Sequence, residues 1–264
     1  VFHMLNHATF KGSLFMAAGI IDHETGTRDM RQLSGLFRFL PITATLAMVA
    51  SAAMAGVPLM NGFISKEMFF AEAFETHADS ILDRALPYIA TLAGAFAVTY
   101  SLRFIHTVFF GPPPANLPKP KPHEPPHWMR FPIEFLVFAC LVVGIAPNLS
   151  IGPLLHTGVT GMLGDRTPDY SLAVWHGVNT PLIMSIIALA GGIILYIGLQ
   201  KYLARCDDGP PAFRHLRGQR IFERILVTVS WKWARWMENR FGTRQLQPQL
   251  RILTAIGFSA GFLP

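Results

Sequence analysis

Apolar residues in this chain come in blocks of about twenty, separated by short polar runs rich in Gly, Pro and Arg. Wound as an α-helix, a block of that length crosses the hydrocarbon of a bilayer, so the pattern predicts an all-α, polytopic membrane helix bundle. The first block covers 1–21, VFHMLNHATFKGSLFMAAGII, and the polar run IDHETGTRDMRQLSG after it predicts a loop. The second covers 39–57 and runs on to about 76, with Pro58, Asn61 and Gly62 inside what would otherwise be one continuous apolar helix, so 39–76 is expected to be a broken transmembrane helix. A third span, 87–110, opens on Pro87 and is closed by Gly111 and PPPANLPKPKPHEPPH, which predicts an extended connector. The fourth, 131–147, is short, and Asn148 to Gly164 predicts a short helix at the surface. The fifth, 178–202, is the clearest.

Beyond the spans, 219–241 carries Ile221, Ile225, Val229, Trp233, Trp236 and Met237 against Arg224, Lys232, Arg235 and Arg240. A basic, tryptophan-rich amphipathic helix is expected there, lying in the membrane interface or packed laterally across neighbouring helices. Residues after Leu250 are expected to open a further membrane segment. The chain therefore divides into 1–218, a bundle of spans, and 219–264. Val1 in place of an initiator methionine, and an apolar end at Pro264, lead to the expectation that the sequence is a piece of something longer.

Composition strengthens this picture. Of 264 residues, 51% are hydrophobic and 14% charged, and the mean hydropathy is +0.37. The net charge of +6 could suggest nucleic acid in a soluble domain. Here the basic residues sit between apolar blocks, where the positive-inside rule accounts for them, and no nucleic acid is expected. Arg28, Arg31 and Arg38 follow the first span, Arg84 the second, Lys119, Lys121 and Arg130 the third, and Arg166 the fourth. Lys201, Arg205, Arg214, Arg217, Arg220 and Arg224 follow the fifth. High and low counts alternate, as five crossings of the inner (plasma) membrane require, and the first span then runs from outside to inside. Cys140 lies in an apolar block and Cys206 in a basic loop, so no disulfide is expected.

The first span carries His3, His7 and Lys11. A four-residue step advances about 400° and rises about 6 Å, so the three lie on one slowly drifting stripe. Ionisable groups at membrane depth are costly, and a stripe of them points to function. Histidine changes charge near neutral pH and a desolvated lysine can release its proton, so the set is suited to relaying protons. As a metal site it lacks the HExxH arrangement, since Met4 follows His3 and Lys11 puts an ammonium where a third ligand would stand; no metal is expected. The alternative for each histidine alone is a buried, hydrogen-bonded core residue.

Lys66 comes soon after the helix break, where unpaired backbone groups need protein or a hydrated cavity. A second half-helix starting near Ser65 would put its positive dipole end beside the ammonium and favour proton release, with Glu67 opposing. The alternative is a Lys66 that reaches the surface and pairs with Glu67. Lesser candidates are Tyr100, Arg103 and His106, spaced by threes on the third span, with Arg103 close enough to the cytoplasmic end to reach water. Asp22 and His23, with Glu24, are expected in a solvated loop where a proton leaving the stripe would meet water. Arg130 and Glu134 read as an interfacial i, i+4 pair.

HxxxHxxxK followed by SLFMAAGIIDHETGTRDMRQLSGL, then NGFISKE after a broken helix, then SLRFIHTVFFG, resembles the antiporter-like subunits of respiratory complex I. It resembles more closely the large A subunit of Mrp/Pha-type multisubunit monovalent cation/proton antiporters, the DHETGTRD run being less acidic in the complex I chain. The resemblance covers residues 1 to about 218, and the amphipathic helix looks like the lateral helix of that family. It implies that His3, His7, Lys11 and Lys66 correspond to the central and distal proton-path residues. It also implies other membrane subunits as partners, Na⁺ or K⁺ and H⁺ as cargo, and the absence here of the glutamate and lysine of the preceding half.

Three functions are consistent with these residues. The first is a proton-translocating subunit of a Na⁺(K⁺)/H⁺ antiporter, a secondary transporter rather than an enzyme and without a cofactor. The second is a proton-pumping membrane subunit of an NADH-quinone oxidoreductase. The third is a scaffold whose buried charges only hold helices together. The sequence carries no dinucleotide fingerprint or iron-sulfur cysteine set.

Overall fold

A computed structural model of the chain describes residues 1–75, 80–114, 117–119, 121–167, 170–204, 218–241 and 246–261. Two compact units emerge, Val1–Tyr202 and Leu203–Pro264. Among the described residues all regular structure is helical.

The first unit begins with α1, Phe2–Thr25. It runs one turn past the expected end at Ile21, so Asp22, His23 and Glu24 are helical and Glu24 is buried, against the expectation of a solvated loop. The reason is local. Nothing in Asp22–Thr25 forbids helix, and the helix closes only at Gly26, whose φ of 77° lets its N–H reach back to Asp22 O. A single turn of 3₁₀ helix at Leu36–Arg38 then leads into α2, Pro41–Ala55. Four alanines of α2, at 44, 47, 50 and 53, are fully buried, and small side chains of this kind let membrane helices approach closely.

The break falls where expected. α2 stops at Gly56, Leu59 takes a left-handed φ of 69°, and α3 spans Asn61–Glu75. A Cβ on Gly62 would collide with Ala53 O, and one on Gly144 would collide with Leu59 O. Two backbones therefore touch at the break, which only glycine permits.

α4 spans Ile81–Phe109 and α5 His127–Ile145, so both expected starts move outward; Pro87, the expected opening of the third span, lies inside α4, and Pro132 lies inside α5. Each sits within the first two turns, where the lost N–H frees a single carbonyl close to the helix start. The expected surface helix resolves into α6, Pro147–Ser150, and α7, Gly152–Leu163, with a 3₁₀ turn at Gly164–Arg166. α8, Thr180–Ala204, starts at Asn179, whose side-chain carbonyl accepts from Leu182 N at 2.9 Å. By length and composition, Asp83–Phe109, His127–Ile145 and Thr180–Gln200 can each cross a membrane. α1 is as long but carries the charged stripe.

The connector is extended as expected but pinned at both ends. Lys119 N donates to Thr25 O, and the Lys119 ammonium to His23 O, at the carbonyl end of α1. Glu124 accepts from Ile42 N at 2.6 Å, Thr43 N at 3.0 Å and the Thr43 hydroxyl at 2.9 Å, at the amide end of α2. Cation on carbonyls and carboxylate on amides both complement the helix dipoles.

In the second unit, α9 (Gly218–Val227), a π-helical turn (Thr228–Trp233) and α10 (Ala234–Phe241) follow without interruption, and α11 is Leu246–Gly261. Arg235 stacks 4.8 Å from the Trp231 ring centroid. The basic loop residues Arg205, Arg214 and Arg217 lie outside the described residues, as does Cys206.

Candidate functional site

α1 presents His3, His7 and Lys11 along one side, as its four-residue spacing requires, and their opposite number is the start of α3. Together with Ser65, Lys66 and Tyr100 these residues line one cleft of about 330 Å³. His3 and His7 are exposed at its mouth, and Lys11 and Lys66 are half-buried. His3 Nδ1 lies 3.1 Å from Ser65 Oγ, and the His3 and His7 ring centroids are 5.9 Å apart. The Lys11 ammonium stands 5.8 Å from the Tyr100 ring centroid, within cation–π range.

Lys66 is arranged differently from expectation. α3 starts at Asn61, not near Ser65, so Lys66 is already in its second turn. Its alkyl chain lies against Gly56 and Gly94, and its ammonium donates to Ala55 O at 2.8 Å. The cation rests on the carbonyl end of α2 instead of the amide end of α3. The dipole acting on it is thus the negative one, which holds an ammonium in place. The cause is geometric: a flexible four-carbon stem five residues into α3 reaches back across the break to the orphan carbonyls that α2 leaves there.

The remaining candidates scatter. Tyr100 joins the cleft, but Glu67 is buried away from its lining and forms no ion pair with Lys66 among the described residues. Arg103 is exposed, and His106 hydrogen-bonds through Nδ1 to the Tyr196 hydroxyl of α8 at 2.8 Å. Asp22 pairs with Arg28 at 2.8 Å. The partly exposed Asp29 is hydrogen-bonded by Arg31, which pulls its carboxyl down to about 2, so it stays ionised at any working pH. Arg130 and Glu134 do pair, at 3.7 Å.

Three residues take partners that the sequence reading did not give them. Asn61 donates to Thr9 Oγ1 at 2.8 Å and to Asn6 Oδ1 at 3.2 Å, stapling the break to the side of α1 facing away from the stripe. Ser65 is the neighbour of His3. Glu24 lies 2.9 Å from His23 and 3.3 Å from His123. Their positions at the break and at the end of the first span were legible in advance; their partners were not. Among the described residues no group of His, Cys, Asp and Glu is arranged to hold a metal.

Residues 1–84 match the family profile described as NADH:quinone oxidoreductase/Mrp antiporter, TM. Over its full length the chain is 70% identical to a protein of Rhizobium meliloti (strain 1021) named as the probable A/B subunit of a K(+)/H(+) antiporter, covering 26% of that protein. It is 38% identical over 213 residues to the A-type subunit of the Na(+)/H(+) antiporter of Bacillus subtilis (strain 168), covering 76% of this chain and 26% of that one. A solved chain of the Mrp complex from Dietzia sp. DQ12-45-1b aligns with a TM-score of 0.66 at 27% identity, over 97% of this chain and 27% of that one. The chain thus spans about a quarter of the length of the curated relatives it matches.

Proposed function

The chain belongs to the family of A-type subunits of Mrp antiporters, and from that premise we propose that it forms part of a proton path through a multisubunit monovalent cation/proton antiporter of the plasma membrane. The observation that carries this reading is the cleft at the helix break, where His3, His7 and Lys11 of α1 meet Lys66 of α3. Four groups able to take and give a proton share one cavity roomy enough for water. Protons pass along α1 between imidazoles and the Lys11 ammonium, while Ser65 orients His3. Lys66 alternates between its Ala55 carbonyl, as the ammonium, and the cleft, after giving up a proton. Cytoplasmic Na⁺ or K⁺ leaves in exchange, and other membrane subunits complete the route. The name of the 70% identical relative makes potassium the first cation to test.

The test is cation-driven proton movement in inverted vesicles containing the full assembly, with sodium and potassium compared. Lys11→Ala and Lys66→Ala are each expected to cut the exchange rate more than ten-fold while the protein stays in the membrane. Exchange at the wild-type rate in both variants overturns the reading. Parallel loss of protein and activity supports a scaffold instead.

A further inference from the structure

We propose that the seam between α4 and α8 holds one phospholipid of the outer leaflet, with a headgroup that carries both a phosphate and an ammonium, as phosphatidylethanolamine does. The site rests on the shape and the charges of the seam and is independent of the proton path.

A groove of about 920 Å³ runs along this seam. On α4 it extends from Asp83 to Ala95 and on α8 from Thr180 to Leu195, with Phe74 of α3 beside them. At 1.5 Å per residue those stretches are about 18 and 22 Å long. One leaflet with its headgroups is about 20 Å deep. Leu92, Met184, Ile187 and Leu195 make the wall apolar, as an acyl chain requires.

Beyond Ala95, toward the end that the loop charges assign to the cytoplasm, the seam is closed. A Cβ on Gly192 would collide with Ala95 O and with Val98, the Thr99 hydroxyl donates to Gly192 O at 3.0 Å, and the Tyr196 hydroxyl meets His106 Nδ1 at 2.8 Å. A helix of a partner subunit that crosses the hydrocarbon needs about 30 Å of contact, and the closed half of the seam denies it that length. A lipid tail from one leaflet needs only the open half. The occupant that fits is therefore a lipid.

Charge is confined to the other end of the groove. Asp83 and Arg84 stand there, and among the described residues neither forms an ion pair. As neighbours in a helix they do not face each other. Arg84 is exposed, and its planar guanidinium matches a phosphate, while Asp83 takes the ammonium beside it. Tyr88, 79% exposed, stands one turn further in, at the depth where amphipathic rings settle. On the inner side, Met184 of the groove wall shares an apolar cluster with Phe70, and the Phe70 ring and the Lys66 stem both reach Gly94. A tail in the groove lies one layer of side chains from the cleft and keeps water from entering it through this wall.

The decisive measurement is photo-crosslinking of the full assembly in proteoliposomes, with phosphatidylethanolamine or phosphatidylglycerol carrying a diazirine on the same acyl chain and adducts mapped by peptide mass spectrometry. Adducts within Tyr88–Leu92 and Met184–Ile187 are expected to be about three-fold more abundant with phosphatidylethanolamine, the size of one modest ion pair. Arg84→Ala should abolish that preference and Arg84→Lys should retain it. Leu92→Trp, which fills the groove, should remove the groove adducts of both lipids. Equal labelling by the two lipids in the wild type means unselected boundary lipid and overturns the site, as does a preference that survives in Arg84→Ala. Absence of groove adducts while other membrane-facing helices are labelled means that protein covers the seam, and overturns it too. The wild-type comparison of the two lipids is decisive even if a variant fails to accumulate. Labelling does not require ion exchange, so the site and the proton path fail separately.

Discussion

At the scale of single residues, long-range pairing decides more than residue type. Lys66 is a lysine near a break in any reading of the chain, but its ammonium lies on Ala55 O, eleven positions back, because α3 starts at Asn61 and turns Lys66 toward the end of α2. Glu124 is equally indifferent to its own neighbourhood. Inside a proline-rich run it looks like a solvated charge, yet it accepts three hydrogen bonds from residues 81 and 82 positions away. It acts as an N-cap supplied from another segment, and capping side chains contribute about 1 kcal/mol. Glu124→Ala is therefore expected to lower the thermal midpoint of the purified assembly by roughly 2–4 °C for the unit concerned. A midpoint equal to wild type would show that solvent satisfies the α2 amides as well as Glu124 does.

At the scale of elements, the break between α2 and α3 was legible because Pro58, Asn61 and Gly62 interrupt an otherwise apolar helix. Its construction was not. Gly62 and Gly144 stand where backbones meet, with no room for a methyl group, whereas Leu59 holds a left-handed φ of 69° and is 57% exposed. Opposite outcomes are expected on this account. Gly62→Ala should destabilise by about 1–3 kcal/mol or prevent accumulation, as overpacking does. Leu59→Gly should be neutral or stabilising by up to about 1 kcal/mol, since the left-handed conformation carries a penalty for a residue with a Cβ. Thermal unfolding of the two assemblies side by side checks both, and a tolerated Gly62→Ala would mean that the two half-helices do not meet at Ala53 O. Pro87 teaches the complementary lesson. The third span was expected to open on it, but a proline in the first two turns removes one hydrogen bond only, and the helix begins upstream of it, as α5 does upstream of Pro132.

At the scale of the whole first unit, loop charge and packing agree. The loop after α1 and the connector after α4, both basic, bond to each other through Gly35 N to Phe110 O, Ser34 to Pro112 O and Lys119 N to Thr25 O. At the opposite end, Phe2 of α1, Val143 of α5, Leu155 of α7 and Leu182 of α8 share one apolar cluster. Alternating crossings demand this division, and the positive-inside rule predicts that the first end faces the cytoplasm. Single cysteines introduced at Arg28 and Lys121 should accordingly react with a membrane-impermeant maleimide only in inverted vesicles, and one at Arg166 only in right-side-out cells. Labelling of Arg28→Cys and Arg166→Cys from the same side would reverse the assignment.

Hydropathy and periodicity are local, and they were enough to define an all-helical membrane protein, its broken helix and the one-sided stripe of His3, His7 and Lys11, since those three share a single helix whose pitch is invariant. Tertiary structure alone decided what the stripe faces, which carbonyl Lys66 holds, and that Glu24 is buried between His23 and His123. Apart from the adjacent His23 and Glu24, these pairings join residues 11 to about 100 positions apart. They depend on how helices pack and where each one starts, and neither quantity is carried by the residues on one side of the contact.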